Sequence, residues 1–210
     1  MNALIKDCIK LVIITIVAGA ALGAVYGITK EPIAIQKEKT QMEAYAAVFP
    51  EASDFVDVEG FTPEAAAEVL AAGENPIDGH EDDEITSVVE AVDASGEVLG
   101  YIFNVTTAEG YGGDISLTVG IQADGTINGY SILSISETAG LGMNAQNEDW
   151  ASQFADKQVD AFTVVKDGSG ANDDAKIDAI SGATITSNAV SGAVNSCIIY
   201  FHTLEGGNIG

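Results

Sequence analysis

The chain has no arginine and only eight lysines among its 210 residues, whereas 32 residues are acidic. From Thr40 onward, 29 acidic residues stand against three lysines, which gives this part a formal charge of −26. Binding to nucleic acid needs a basic patch, and basic segments are what anionic lipid attracts. The composition therefore excludes a nucleic-acid partner and argues against binding flat on anionic lipid. A negative field of this size favours solubility and can steer a cationic partner.

Metal-ligating residues are equally scarce. The two cysteines, Cys8 and Cys197, are too few for an iron–sulfur cluster, which takes about four protein ligands. His80 and His202 are far apart in the sequence and have no cysteine or histidine at metal-ligand spacing. The acidic run at 80–84 does not have the spacing of a calcium loop. We therefore expect no metal site, and we expect both cysteines to be packing residues.

An apolar run near the N-terminus is long enough to cross a membrane. Residues 11–28 are 18 consecutive residues without a charge, and a transmembrane helix needs about 20 mainly apolar residues. A cleaved signal peptide is the alternative interpretation. We expect residues 1–36 to be a retained membrane anchor with its span at about 11–28.

The span carries small residues at a helical interval. Gly19, Gly23 and Gly27 recur every fourth residue, and such a face lets another membrane helix approach closely. The alternative is that glycine is simply common in membrane helices. Lysines on both sides of the span alternate with acidic residues, so the positive-inside rule does not orient the anchor.

The rest of the chain predicts an α+β fold. Residues 37–84 read as a helical extension, with helices at 37–49 and 62–72, followed by an acidic loop. Residues 85–210 read as the main domain, rich first in β-branched and aromatic segments separated by short turns. Strands linked so closely must be antiparallel. We expect an antiparallel sheet with flanking helices, preceded by one N-terminal transmembrane helix.

Individual elements of the main domain follow from the same patterns. The expected strands are 85–92, 97–106, 114–121, 126–135 and 162–165. We expect helices at 148–156 and 187–204, the second with an apolar stripe that includes Val190, Val194 and Cys197.

The most informative segment is Asp178-Ala179-Ile180-Ser181-Gly182-Ala183-Thr184. Gly182 lets the backbone take positive φ and lets a large ligand approach the main chain. Ser187 or Asn188 is a good N-cap for the helix that follows, and a helix N-terminus favours a phosphate. The alternative is an ordinary strand-to-helix turn rich in small residues.

This segment resembles the flavinylation motif Asp-x-x-(Ser/Thr)-Gly-Ala-Thr of flavoproteins that carry FMN as a phosphoester on threonine. The resemblance implies that Thr184 is the attachment residue and that a flavin transferase moves FMN onto it from FAD.

Three more segments extend the resemblance over nearly the whole chain: 110–113 (Gly-Tyr-Gly-Gly), 137–142 (Glu-Thr-Ala-Gly-Leu-Gly) and 164–168 (Val-Val-Lys-Asp-Gly). In this order behind one membrane helix, they resemble the G subunit of the Rnf complex, an ion-pumping ferredoxin–NAD oxidoreductase. The C subunit of the sodium-pumping NADH–quinone oxidoreductase shares the pattern and stays an alternative. Ala139 stands where many relatives have proline.

The resemblance also implies a wider set of flavin-site residues. Three line the phosphate end: Ser181, Gly182 and Ala183. Eight surround the rest of the flavin: Tyr111, Gly112, Gly113, Glu137, Thr138, Leu141, Gly142 and Lys166. Each has a structural alternative, such as a core position for Tyr111 or a hydrophobic plug for Leu141.

The function implied by the resemblance is electron transfer through covalently bound FMN, in one subunit of an ion-translocating oxidoreductase. Such a relay needs no separate catalytic acid or base. The implied partners are the membrane and iron–sulfur subunits of the complex and a flavin transferase for maturation. The flavin domain would lie on the extracytoplasmic side of the cell membrane. The alternative is a solitary anchored FMN-binding electron shuttle or redox sensor.

Overall fold

The structure, a computed structural model, describes residues 3–206. It contains two compact units, one ending at Met42 and the other beginning at Glu43. The first unit belongs to a helix, α1 (Ala3–Val48). The second holds all the strands and the remaining helices.

Helix α1 is one continuous element. The prediction of a separate helix at 37–49 is therefore wrong, because one helix runs from Ala3 through this segment. Pro32 lies inside α1 and does not end it, although proline removes one helical N–H donor. The most apolar window of α1 has a mean hydropathy of 2.4 and is not buried by other parts of the described chain. By length and composition, α1 can cross a membrane.

Three further helices lie in the second unit: α2 (Pro63–Ala72), α3 (Glu148–Ala151) and α4 (Thr184–Gly206). Three short 3₁₀ turns accompany them, at Gly142–Gln146, Ser152–Phe154 and Ser169–Asn172. Helix α2 begins as predicted, because the Thr62 hydroxyl accepts the N–H of Ala65 at 3.2 Å.

The main sheet is antiparallel throughout, which confirms the predicted fold class. Its five strands follow chain order: β1 (Asp54–Asp57), β2 (Glu84–Val92), β3 (Val98–Thr107), β4 (Ile115–Gln122) and β5 (Ile127–Ser134). The sequence predicted the last four and missed β1. A four-residue edge strand shows too little alternation to be recognised.

A second, small sheet pairs β6 (Thr163–Val165) with β7 (Lys176–Asp178) in parallel. The sequence predicted β6 without its partner. Strand β7 leads through residues 179–183 directly into α4, so this sheet fixes the entry to the last helix.

The two faces of the main sheet bury different residues. Val88 and Phe103 belong to the larger core, together with the α4 residues Val190 and Val194. Their sequence neighbours Val89 and Ile102 pack on the other face with Tyr45, in the last turn of α1, and with Phe49, which follows that helix. Side chains alternate between faces along a strand, so both faces are covered. The predicted apolar stripe of α4 is buried in this core.

Candidate functional site

The threonine singled out by the sequence begins a helix. Thr184 is the first residue of α4. The predicted start of this helix at Ser187 is therefore wrong by three residues. The Ser187 N–H already donates to the Ala183 carbonyl at 3.0 Å, which is the i to i−4 bond of an α-helix. The Ser187 side chain is therefore not an N-cap. Its Oγ donates to the Ala183 carbonyl at 2.9 Å and accepts the Ile180 N–H at 2.9 Å.

This early start places Thr184 where an anionic group is stabilised. The N–H groups of a first helical turn have no acceptor within the helix and carry a partial positive charge. Just before it, Gly182 takes a left-handed conformation with φ +76°. Most residues avoid that conformation, so the glycine is needed to turn the chain from β7 into α4.

Thr184 lines a cavity of about 490 Å³. Its walls come from the loop before β4, the loop after β5 and the first turn of α4. Eight of the predicted site residues line it: Tyr111, Glu137, Thr138, Leu141, Gly142, Gly182, Ala183 and Thr184. Two lining residues were missed, Ile185 and Thr186. The helical start at Thr184 explains them, because it turns the next two residues toward the same cavity.

The other predicted residues lie outside this lining. Ser181 is exposed in the turn between β7 and α4, and Lys166 is exposed directly after β6. Gly112 and Gly113 shape the loop that carries Tyr111. A side chain at Gly112 would come within 2.3 Å of the Ser136 carbonyl oxygen, whereas Gly113 has φ +120°.

The floor of the cavity is closely packed around Gly142. A Cβ atom on this glycine would lie 2.6 Å from the Thr186 Oγ1 and 2.7 Å from the Glu137 Oε2. Glu137 and Thr186 are both buried. The residue at 142 is therefore glycine because of close approach, since it is not among the glycines with positive φ.

Three exposed apolar side chains surround the mouth. The exposed fractions are 72% for Tyr111, 53% for Ile185 and 40% for Leu141. From Glu43 onward, the described chain has only one other exposed large hydrophobic residue, Val56. A concentration of apolar surface on so acidic a unit indicates a binding site for an apolar group.

Two titratable side chains outside the cavity, Cys197 and Tyr130, have pKa values that are shifted by burial. Burial raises the pKa of the Cys197 thiol well above its usual value, and the nearby Asp83 carboxylate adds to this effect. Burial also raises the pKa of Tyr130, whose hydroxyl donates to the Ala145 carbonyl. Within residues 3–206, no cluster of three or more histidine, cysteine or acidic side chains could hold a metal ion.

The cavity fits a flavin mononucleotide in its chemistry. The N–H groups at the start of α4 suit the phosphate, and the Thr184 hydroxyl lies at that end. The apolar side chains of Tyr111, Leu141 and Ile185 suit the flat ring system.

Comparisons with known proteins agree with this geometry. A family profile described as an FMN-binding domain matches residues 110–199. The chain is 34% identical to the G subunit of the Na⁺-translocating ferredoxin:NAD⁺ oxidoreductase complex of Acetobacterium woodii, over 93% of this chain and 90% of that one. It is 32% identical to the G subunit of the proton-translocating ferredoxin:NAD⁺ oxidoreductase complex of Clostridium ljungdahlii, over 98% and 96%.

A solved structure is also similar. The crystal structure of Shewanella oneidensis NqrC matches with a TM-score of 0.51 and 26% identity, covering 59% of this chain and 62% of that one.

Proposed function

The chain belongs to the family of G subunits of ion-translocating ferredoxin:NAD⁺ oxidoreductase (Rnf) complexes, and we propose that it transfers electrons through an FMN held covalently on Thr184. The observation that carries this proposal is the cavity whose lining combines a threonine hydroxyl at a helix N-terminus with an exposed apolar rim. The FMN-binding domain match over residues 110–199 covers both parts.

Attachment at Thr184 is supported by its position at the start of α4 and by the small residues that precede it. The hydroxyl belongs to the first residue of α4, which favours a phosphate group bound at that point. Gly182 and Ala183 add little bulk beside it, so a phosphodiester has room.

The protein's part in electron transfer is to hold and orient the flavin, which when bound supplies the electron-accepting group. A phosphoester fixes only one end. Tyr111, Leu141 and Ile185 would cover the apolar ring and keep water from part of it. The buried Glu137 carboxylate places negative charge near the floor of the site, which would disfavour electron uptake and lower the flavin potential.

The chain is anchored in the membrane through α1. Its apolar window has the length and hydropathy of a span, and its relatives are subunits of ion-translocating complexes. We place the flavin domain on the extracytoplasmic side and the chain beside membrane and iron–sulfur subunits. A flavin transferase would act during maturation. The lysines beside the span do not decide the orientation.

Purification from native membranes tests the assignment to a complex. The chain should co-purify in mild detergent with membrane subunits and with proteins that contain iron–sulfur clusters. Recovery of a flavinylated chain alone, at every detergent concentration that preserves other membrane complexes, would instead favour the solitary electron shuttle.

A further inference from the structure

The first residue of the flavinylation segment is held by a glutamine that sequence patterns do not single out. Gln153 lies in the 3₁₀ turn Ser152–Phe154. Its side-chain Oε1 accepts the Asp178 N–H at 2.8 Å, and its Nε2 donates to the Asp178 carbonyl at 3.3 Å. One amide side chain thus makes the donor and acceptor pair that a neighbouring strand would supply.

The register of the small sheet explains why Asp178 needs such a partner. The Thr163 N–H donates to the Ala175 carbonyl, and the Ala179 N–H donates to the Val165 carbonyl. In parallel pairing, the backbone groups of alternate residues bond to one neighbour. The N–H and carbonyl of Asp178 therefore point away from β6, toward Gln153.

Two further contacts hold Asp178. The Trp150 Nε1–H donates to its carbonyl at 2.7 Å. The Asp178 carboxylate Oδ1 accepts the Gly170 N–H at 3.2 Å. A side chain at Gly170 would come within 2.9 Å of the same carboxylate. The carboxylate is thus engaged inside the domain.

The C-terminal end of the segment is also held by hydrogen bonds within the protein. Ser187 bonds to both Ile180 and Ala183 through its hydroxyl, and the Ala183 N–H donates to the Ile180 carbonyl at 2.9 Å. Residues 178–183 therefore form a loop fixed at both ends by protein contacts alone, and only Ser181 and Gly182 within it are exposed.

We propose that Gln153 is a positioning residue for flavin attachment, and that the transferase acts on this folded loop and not on an opened chain. The proposal rests on the proposed attachment at Thr184. In the transfer, the Thr184 Oγ bonds to the FMN phosphorus of FAD, the pyrophosphate bond breaks, AMP leaves and the hydroxyl proton is released. A loop fixed at both ends presents Oγ in a narrow range of positions, which favours such a displacement.

Transfer kinetics test the proposal with full-length protein in detergent, purified transferase and FAD. Gln153→Met keeps the size of the side chain and removes both hydrogen bonds to Asp178. Its kcat/KM for flavin transfer should fall about tenfold, mainly in kcat, because Oγ is aligned less often. Gln153→Glu keeps the acceptor for the Asp178 N–H and should lie between Gln153→Met and the parent.

The matched control is Gln158→Met. The Gln158 side chain also donates to a backbone carbonyl, that of Asp124, outside the flavinylation segment. Its kcat/KM should stay within about twofold of the parent, even where thermal unfolding shows a similar loss of stability. If Gln153→Met does not fold, Trp150→Phe removes one hydrogen bond to the same carbonyl and should lower kcat in the same direction.

An unchanged or raised kcat/KM in Gln153→Met would overturn the proposal, and a raised value would mean that the transferase prefers an opened loop. Peptide mass analysis of the parent separates this outcome from failure of the proposed function. If the parent carries no FMN on Thr184, the proposed function is wrong. If the parent is labelled there and Gln153→Met is labelled equally fast, only the positioning role is wrong.

Discussion

The buried carboxylate of Glu137 accepts a hydrogen bond from the Gly112 N–H at 3.2 Å. This bond joins the loop after β5 to the loop before β4, and these loops carry Leu141 and Tyr111 at the mouth of the cavity. The Glu137 carboxylate therefore helps to set the relative position of these two apolar side chains.

Removal of that carboxylate should separate the loops. In Glu137→Ala, the Gly112 N–H loses its acceptor, and the free energy of unfolding should fall by about 1–3 kcal/mol. Glu137→Gln keeps a carbonyl acceptor of the same reach and should cost less. Denaturant unfolding of the two variants and the parent measures the difference. Equal losses in both variants would show that the hydrogen bond does not hold the loops together.

Leu141→Asp should leave covalent attachment intact and change the flavin's surroundings. The substitution adds negative charge beside the ring, which disfavours electron uptake, so the reduction potential should fall, on the order of 30 mV or about 1.4 kcal/mol for two electrons. Reduction by a partner should also be slower. Absorbance spectra, a redox titration and stopped-flow reduction report these effects.

Val56→Asp is the control for Leu141→Asp, because Val56 is also exposed but lies on β1. Its spectra, potential and reduction rate should match the parent. If Leu141→Asp matches the parent in all three as well, the loop does not contact the flavin.

The glycines of α1 give a prediction about assembly. In the described chain, a Cβ atom at Gly19, Gly23 or Gly27 would meet nothing within 4 Å, so substitution does not disturb the fold of the chain itself. Gly23→Leu should still insert and become flavinylated, but should keep a neighbouring membrane helix from close approach and so lower the yield of assembled complex. Co-purification measures that yield, with Ala21→Leu as the control. Normal assembly of Gly23→Leu would contradict a packing role.

Topology gives a further prediction. A protease added to intact protoplasts should digest the domain that follows α1, since we place it outside the cytoplasm. Immunodetection of a C-terminal tag reports the digestion, and a cytoplasmic marker protein serves as the control for leakage. Protection of the domain until lysis would reverse the assignment.

The sequence predicted those features that have a local pattern. The four long strands have eight to ten residues each and are rich in β-branched and aromatic side chains. The same locality explains what was missed. β1 and β7 have four and three residues and are partly charged (Asp-Phe-Val-Asp and Lys-Ile-Asp), whereas the equally short β6 is entirely β-branched. The start of α4 depends on the Ser187 N–H reaching the Ala183 carbonyl.

Contacts between residues that are far apart in the chain could not be predicted from sequence patterns. Gln153 and Asp178 are 25 residues apart, and neither their spacing nor the glutamine itself indicates a bond. The close packing of Gly142 between Glu137 and Thr186 likewise exists only in the folded protein, where the loop after β5 contacts α4. Eight of the residues that the resemblance named line one cavity, whereas Ile185 and Thr186 could be assigned to it only from the start of α4 at Thr184.

The central claim is covalent FMN on Thr184, and fluorescence after denaturing electrophoresis tests it most directly. Parent protein made together with its flavin transferase should give a fluorescent band. Thr184→Ala should give none while keeping the melting temperature of the unmodified parent, and Thr138→Ala, which removes another threonine hydroxyl from the cavity lining, should keep the band. A fluorescent band of parent intensity in Thr184→Ala would place the flavin on another residue and contradict the account.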